Sequence, residues 1–172
     1  MGALLLILAV WVCALSLRPA LAAERVAVLG IELLKGDLTP GGERLTPREE
    51  ARVKKTAAML RELLAGADFE VVSAARTEAA LAADPPGQYL HACNGCELDY
   101  GGALGADWVL VGWVQKVSNL ILNLNVLVKD VETGALVASG FVDLRGNSDE
   151  SWTRATRYLW DNLLLERLEA KR

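Results

Sequence analysis

With 172 residues the chain has room for a short targeting segment and one domain of ordinary size, and too little for two large ones. Hydrophobic residues make up 52% and charged ones 23%, which excludes intrinsic disorder, and the interior lacks the long apolar runs of a polytopic membrane protein. A net charge of −4 with scattered Lys and Arg offers no basic stripe, so nucleic acid is excluded as a partner class.

Gly2 to Leu17 form one apolar run of about the length of a secretory h-region, and Arg18-Pro19 break it before the small-residue site Ala20-Leu21-Ala22. The expected organisation is therefore a signal peptide over 1–22, cleaved after Ala22, and a single α/β domain over 23–172. The alternative is an uncleaved anchor, because the n-region holds no Lys or Arg. Cleavage removes Arg18 and takes the net charge from −4 to −5. It also removes Cys13, which follows Trp11-Val12 rather than the Leu-small-small of a lipobox. Only Cys93 and Cys96 remain, an even count in an exported chain, and a disulfide is the default there. The product is expected in the periplasm without a membrane span.

Arg25 to Leu33 (RVAVLGIEL) read as a central strand buried on both faces. Lys35 to Leu45, rich in Gly, read as a loop. Thr46-Pro47-Arg48-Glu49 is a capping box, and Val53, Ala57, Leu60 and Leu64 follow at helical spacing up to Gly66, which suits a left-handed residue after a helix. Phe69 to Val72 start a second strand, 74–83 are helix-prone, and Pro85-Pro86-Gly87 close that stretch. Asn94 and Glu97 open a short helix ending at Gly105. Asp107 to Arg145 form a meander of three long strands. Asn147 and Ser148 cap a last helix whose inner stripe is Trp152, Ala155, Leu159 and Leu163, running to about Leu168. The expected class is thus α/β (α+β): a mixed sheet ending in an antiparallel three-strand meander, with helices packed on it.

Register assigns the faces. A two-residue turn at Ser118-Asn119 pairs Val117 with Leu120, Trp113 with Leu124 and Val111 with Val126. A three-residue loop at Glu132-Thr133-Gly134 pairs Val131 with Ala135, and so Leu124 with Val142 and Leu122 with Leu144. One face is then apolar, and the other gathers Lys116, Asn123, Asn125, Asp143 and Arg145, with Phe141 and Ile121 among them. Such a face is either solvated or a docking surface. With its rim, the candidate binding set is Gln115, Lys116, Ser118, Asn119, Asn123, Asn125, Asp143, Arg145, Asn147 and Trp152.

Catalytic patterns are missing from the sequence. His91 is the lone histidine, no Gly-x-Ser-x-Gly elbow is present, and no GxGxxG or P-loop signals a nucleotide, so no enzyme activity and no cofactor are expected. Asp149 and Glu150 fall in the first turn of the last helix, where carboxylates offset the amide dipoles. Cys93-Asn94-Gly95-Cys96 is read as a structural disulfide. The alternative is a thiol-disulfide or metal-handling protein, since CxxC at a helix start can tune a thiol, and His91 adds a third ligand where zinc needs four.

The stretches VAVLGIEL, FEVV, LGADWVLVG and VKDVETGALVASG resemble the amino-terminal α/β domain of the TolB translocation protein and of curli-export and penicillin-binding-protein-activator lipoproteins. That resemblance implies a periplasmic binding domain. More closely, VQKVSNLILN, the CxxC and Arg145 to Trp152 (RGNSDESW) resemble a family of secreted proteins of unknown function, often encoded beside pyrroloquinoline-quinone-dependent alcohol dehydrogenases. It implies a non-catalytic accessory or interaction domain whose partner is another periplasmic protein, with a quinoprotein oxidation system as the setting. No catalytic residues come with it.

Overall fold

Alternation of buried apolar side chains on both sides of Val26 to Leu29 places the first strand in the middle of the sheet, with α-helical layers on either face. The computed structural model describes residues 23–35 and 45–172; the signal peptide expected over 1–22 lies outside the described residues, as does the loop expected over Lys35 to Leu45 except for its ends, of which Lys35 belongs to the first strand. The elements are β1 (Arg25–Lys35), α1 (Pro47–Gly66), β2 (Glu70–Val71), α2 (Ala74–Ala83), α3 (Cys96–Leu104), β3 (Trp108–Lys116), β4 (Ile121–Asp130), β5 (Leu136–Arg145), α4 (Asp149–Leu159) and α5 (Leu165–Glu169), with a 3-10 turn at Leu90–Ala92 and a π-helical turn at Trp160–Leu164. They build a five-stranded mixed sheet in the order β2-β1-β3-β4-β5. β1 pairs in parallel with β2 and β3, and the meander β3-β4-β5 is antiparallel.

The expected capping box is in place: Thr46 Oγ1 accepts from Glu49 N–H (3.3 Å) while Glu49 Oε2 accepts from Thr46 N–H (2.9 Å). Ala57, Leu60 and Leu64 of α1 are buried against the sheet, together with Leu122, Leu124, Val126 and Val128 of β4 and with Trp152, Ala155 and Leu159 of α4. This first face is covered along its whole width. The second face is covered only at one end, where Val72, Leu90, Tyr100 and Leu104 pack on Ala27, Leu29, Val109 and Val111. No described helix is long and apolar enough to cross a membrane.

Several local expectations need correction. α1 runs through Gly66, and the left-handed residue is Asp68 (φ 60°), because Ala67 N–H still closes on Leu64 and Ala65 carbonyls. The cap of α3 is Gly95 (φ 115°) instead of Asn94; the Glu97 carboxylate reaches back to Gly95 N–H (3.2 Å). In the last helix the π-helical turn inserts a residue into the repeat, so burial passes from Leu159 to Leu164 and Leu168. Leu163, expected in the inner stripe, is rotated to the sheet edge, where it lies against Gly140 closely enough that a Cβ there would stand 3.0 Å from the Leu163 Cβ.

The β3-β4 hairpin departs by one residue from the expected register. Trp113 faces Asn125, Val114 faces Leu124 and Lys116 faces Leu122, and the connection runs from Val117 to Leu120. Both Val117 N–H and Ser118 N–H donate to Ile121 O, and Ser118 Oγ accepts from Leu120 N–H and Ile121 N–H, all at 3.1 Å. A slip of one flips every β3 side chain relative to β4. The decisive neighbour is β1, whose pairing with β3 sends Leu110 and Val114 towards α1 and Trp113 to the other side, next to Glu32. The β4-β5 pairing agrees with expectation over Leu122 on Leu144 and Leu124 on Val142, with Gly134 left-handed (φ 69°) in the loop, but the expected Val131-Ala135 pair does not form: the register shifts after Val128, Lys129 faces Leu136, and Asp130 N–H donates to Ala135 O (2.9 Å).

Candidate functional site

On the half of the second face that α2 and α3 leave bare, the pairings set two cross-strand rows: Gln115, Asn123 and Asp143, and next to it Trp113, Asn125 and Phe141. Asn123 Nδ2 donates to Asp143 Oδ1 (2.8 Å) and Asn125 Nδ2 to Asn123 O (3.3 Å), so the amides are ordered side by side. Apolar groups stand among them, with Ile121 61% and Phe141 68% exposed. Arg145, opposite Ile121, extends the face, and Ser118 and Asn119 stand in the turn beyond it, adjoined by exposed Val117 and Leu120.

Three members of the candidate set lie elsewhere. Lys116 points to the helix-covered face, where Nζ bonds Glu49 Oε1 (2.7 Å), a consequence of the shifted register. Trp152 is buried in the main core, with Nε1 donating to Asn147 Oδ1 (2.9 Å). Asn147 is half-buried; the same Oδ1 accepts from Arg52 of α1 (3.0 Å), and Nδ2 donates to Asn119 Oδ1 (3.4 Å). It therefore joins α1, α4 and the β3-β4 turn, a structural use of its amide.

Glu49 explains why that turn holds. Its carboxylate, buried at the start of α1, also bonds Lys35 Nζ (2.9 Å). Burial by itself would raise its pKa, but the hydrogen bonds from Lys116, Thr46 and Lys35 outweigh that and hold it well below the ordinary carboxylate range.

The wall between the covered and bare halves comes from the segment around the cysteines. Glu32, projecting from β1 beside Trp113, accepts from Leu90 N–H (2.7 Å) and His91 N–H (3.4 Å), and lies 2.8 Å from His91 Nδ1. That clamp lays the His91 ring on Trp113, stacked with centroids 4.5 Å apart, and Tyr89 stands beside it at 5.6 Å. Cys93 and Cys96 are disulfide-bonded, with Cα atoms 5.6 Å apart, and Cys93 is buried. Glu97, also buried, binds Lys129 of β4 through Oε1 (2.6 Å) and stands 3.2 Å from Cys93 Sγ. Cys93, Cys96 and Glu97 could gather round a cation only after reduction, since a disulfide sulfur carries no thiolate. Among the described residues the side-chain partner of the His91 imidazole is Glu32.

Glu32 and Trp113 were not in the candidate set. Trp113 is half-exposed and borders a hollow of about 350 Å³ with Asn125, Leu127, Ser139 and Phe141. A signal for it was present in the candidate set, which held Gln115: alternation in β3 puts Trp113 on the side of Gln115, opposite to Lys116.

The family model described as "Protein of unknown function (DUF2380)" matches residues 24–164. The chain belongs to the DUF3280 family. No curated protein matches this DUF3280 chain. Among solved structures it is similar to lipoprotein GNA1162 from Neisseria meningitidis, with 15% identity, a TM-score of 0.55, and coverage of 80% of this chain and 96% of that one. It is similar also to the LpoB C-terminal domain from Salmonella enterica (19% identity, TM-score 0.50, 72% and 84% covered) and to that from Escherichia coli (18%, 0.50, 72% and 83%). At these identities the likeness establishes a shared mixed α/β fold, the class expected from sequence.

Proposed function

We propose that this DUF3280 chain is an exported, non-catalytic interaction domain that docks another periplasmic protein on the bare half of its sheet. The observation that carries the reading is the ordered face itself: Gln115, Asn123, Asn125, Asp143 and Arg145 alternate with exposed Ile121 and Phe141 and half-exposed Trp113. Apolar anchors ringed by hydrogen-bonding groups are what protein interfaces use. Export is supported by the apolar run and small-residue site over 1–22, followed by one domain over 23–172, by the bonded Cys93-Cys96 pair, and by the likeness to a protein titled a lipoprotein. The finer setting, service to a pyrroloquinoline-quinone-dependent alcohol oxidation system, is supported by the sequence resemblance of VQKVSNLILN and RGNSDESW. A non-catalytic role is supported by His91, whose ring is engaged by Glu32 and Trp113.

The test is photo-crosslinking in the periplasm, with the reactive residue at Asn125 in one strain and at Lys54, on the outer side of α1, in another. A discrete adduct from position 125 and none from 54 is expected. Adducts from 54 alone would place the working surface on the helices.

A further inference from the structure

β5 is the outermost strand of the sheet, and its free edge is not uniform. Gly146 N–H donates to Leu120 O (3.3 Å), so by antiparallel alternation the pairs Leu144-Leu122, Val142-Leu124 and Gly140-Val126 exchange main-chain bonds. The main-chain groups of Ser139, Phe141, Asp143 and Arg145 consequently point away from β4. Two of these carbonyls are taken by the chain itself: Ser139 O accepts from the Arg167 guanidinium, and Arg145 O from Ser151 Oγ (3.3 Å). Between these two stops, the outward N–H and C=O of Phe141 and Asp143 have no partner among the described residues.

A hollow lies on each side of this open stretch. On the bare-face side is the one of about 350 Å³ bordered by Trp113, Phe141 and Leu163. On the helix side a second, of about 290 Å³, is bordered by Val142, Arg154, Ala155 and Tyr158, whose ring is 55% exposed. An extended segment laid along β5 sends successive side chains to opposite faces, one into each hollow. The charge of the site is positive at its Arg145 end: Arg145 has no ion-pair partner among the described residues, whereas the neighbouring Asp143 carboxylate is already bonded by Asn123.

We infer that β5 accepts an extended segment of a partner protein as a sixth strand over Phe141 to Asp143, the segment bearing apolar side chains at alternate positions and a carboxylate beside Arg145. This deepens the reading of the bare face by naming the chemistry of what docks there. A second copy of the chain fits poorly. Antiparallel self-pairing centred on this stretch opposes Asp143 to Phe141, or Asp143 to itself, and the register that sets Asp143 opposite Arg145 is centred on Leu144 and needs the Arg145 carbonyl that Ser151 already holds.

The probe is an acetylated, amidated peptide of sequence Thr-Val-Glu-Val-Thr-Val, titrated into the exported domain and followed by amide chemical shifts. Shifts concentrated at residues 139–145 are expected. Methylating alternate peptide nitrogens should weaken binding at least tenfold, and Arg145→Ala should abolish the preference for this peptide over its Gln counterpart. Asp143→Pro removes one outward donor and should weaken binding likewise, while β4 pairing is kept because proline is tolerated where an edge N–H faces solvent. If that variant melts early, the methylated peptide decides. Equal binding of the methylated peptide, no binding of any peptide at millimolar concentration, or dimerisation abolished by Asp143→Pro would each overturn the inference. Shifts at Asn123 and Asn125 without shifts at 141–143 would overturn the added strand and leave the bare-face reading standing; crosslinks from α1 alone would remove that reading.

Discussion

The two sides of β4 obey the same alternation and meet opposite fates. Leu122, Leu124, Val126 and Val128 are all 1% exposed or less beneath α1 and α4, while Ile121, Asn123 and Asn125, one step out of phase, stand on the half of the other face that α2 and α3 leave uncovered. A strand therefore cannot say by itself whether its polar side is plain solvent-facing surface or a built surface. The second answer is favoured here by order: Asn123 donates across strands to the Asp143 carboxylate, Asn125 donates to the Asn123 carbonyl along β4, and apolar side chains remain among them.

The sharpest break of this comparison is on the covered side. Leu124→Ala should lower unfolding stability by about 2–5 kcal/mol, the range for emptying a packed leucine site, as read by denaturant titration. Next comes the polar exception beneath the helices, Glu49→Gln, which leaves Lys35 and Lys116 facing a neutral partner in a buried place. A loss of about 3 kcal/mol is expected, because breaking one member of a buried ion cluster strands the others. The same cluster sets a pH dependence. The carboxyl's folded pKa lies below its ordinary 4.5, so its contribution is complete above that value and declines as pH falls below it. In Glu49→Gln the acid limb of stability against pH should flatten; an unchanged limb would show that the cluster adds nothing.

Smaller effects probe the wall and the bare side. Replacing both Cys93 and Cys96 by Ser opens only a small ring, so the loss should not exceed about 2 kcal/mol, with the melting temperature falling a few degrees. If the disulfide serves to hold His91 on Trp113, tryptophan fluorescence should change in that variant while partner docking is kept. Loss of docking at unchanged stability would favour thiol chemistry instead. Smallest are Asn123→Ala and Arg145→Ala, each expected within about 0.5 kcal/mol of the parent, yet weakening capture of the partner. Docking untouched by both would make the bare face ordinary solvated sheet.

Much of the architecture was legible because it is local. The Thr46-Glu49 box, the Ser148 cap and the left-handed Gly105 and Gly134 are all short-range chemistry, and each stands at the expected position. The β4-β5 register from Ile121 to Val128 was legible too, because it sets the apolar sides of both strands together, whereas the loop is one residue longer than expected and a bulge beside Val128 absorbs the difference. The β3-β4 register was not. Its turn chemistry permits neighbouring lengths, and the choice was made by β1, which lies far away in sequence and buries one side of β3 under α1. That choice moved Lys116 to Glu49 and brought Trp113 to the open face. Trp152 and Asn147 were lost from the candidate surface for a related reason, because α1 folds back across the start of α4 and engages both the core and the rim there. Residue types and spacing thus determined which segments form helices and strands and which side of β4 and β5 is apolar. Which side would be left uncovered was decided only by packing, since the reach of α2 and α3 across the sheet depends on contacts that Glu32 and Lys129 make with residues distant in the chain.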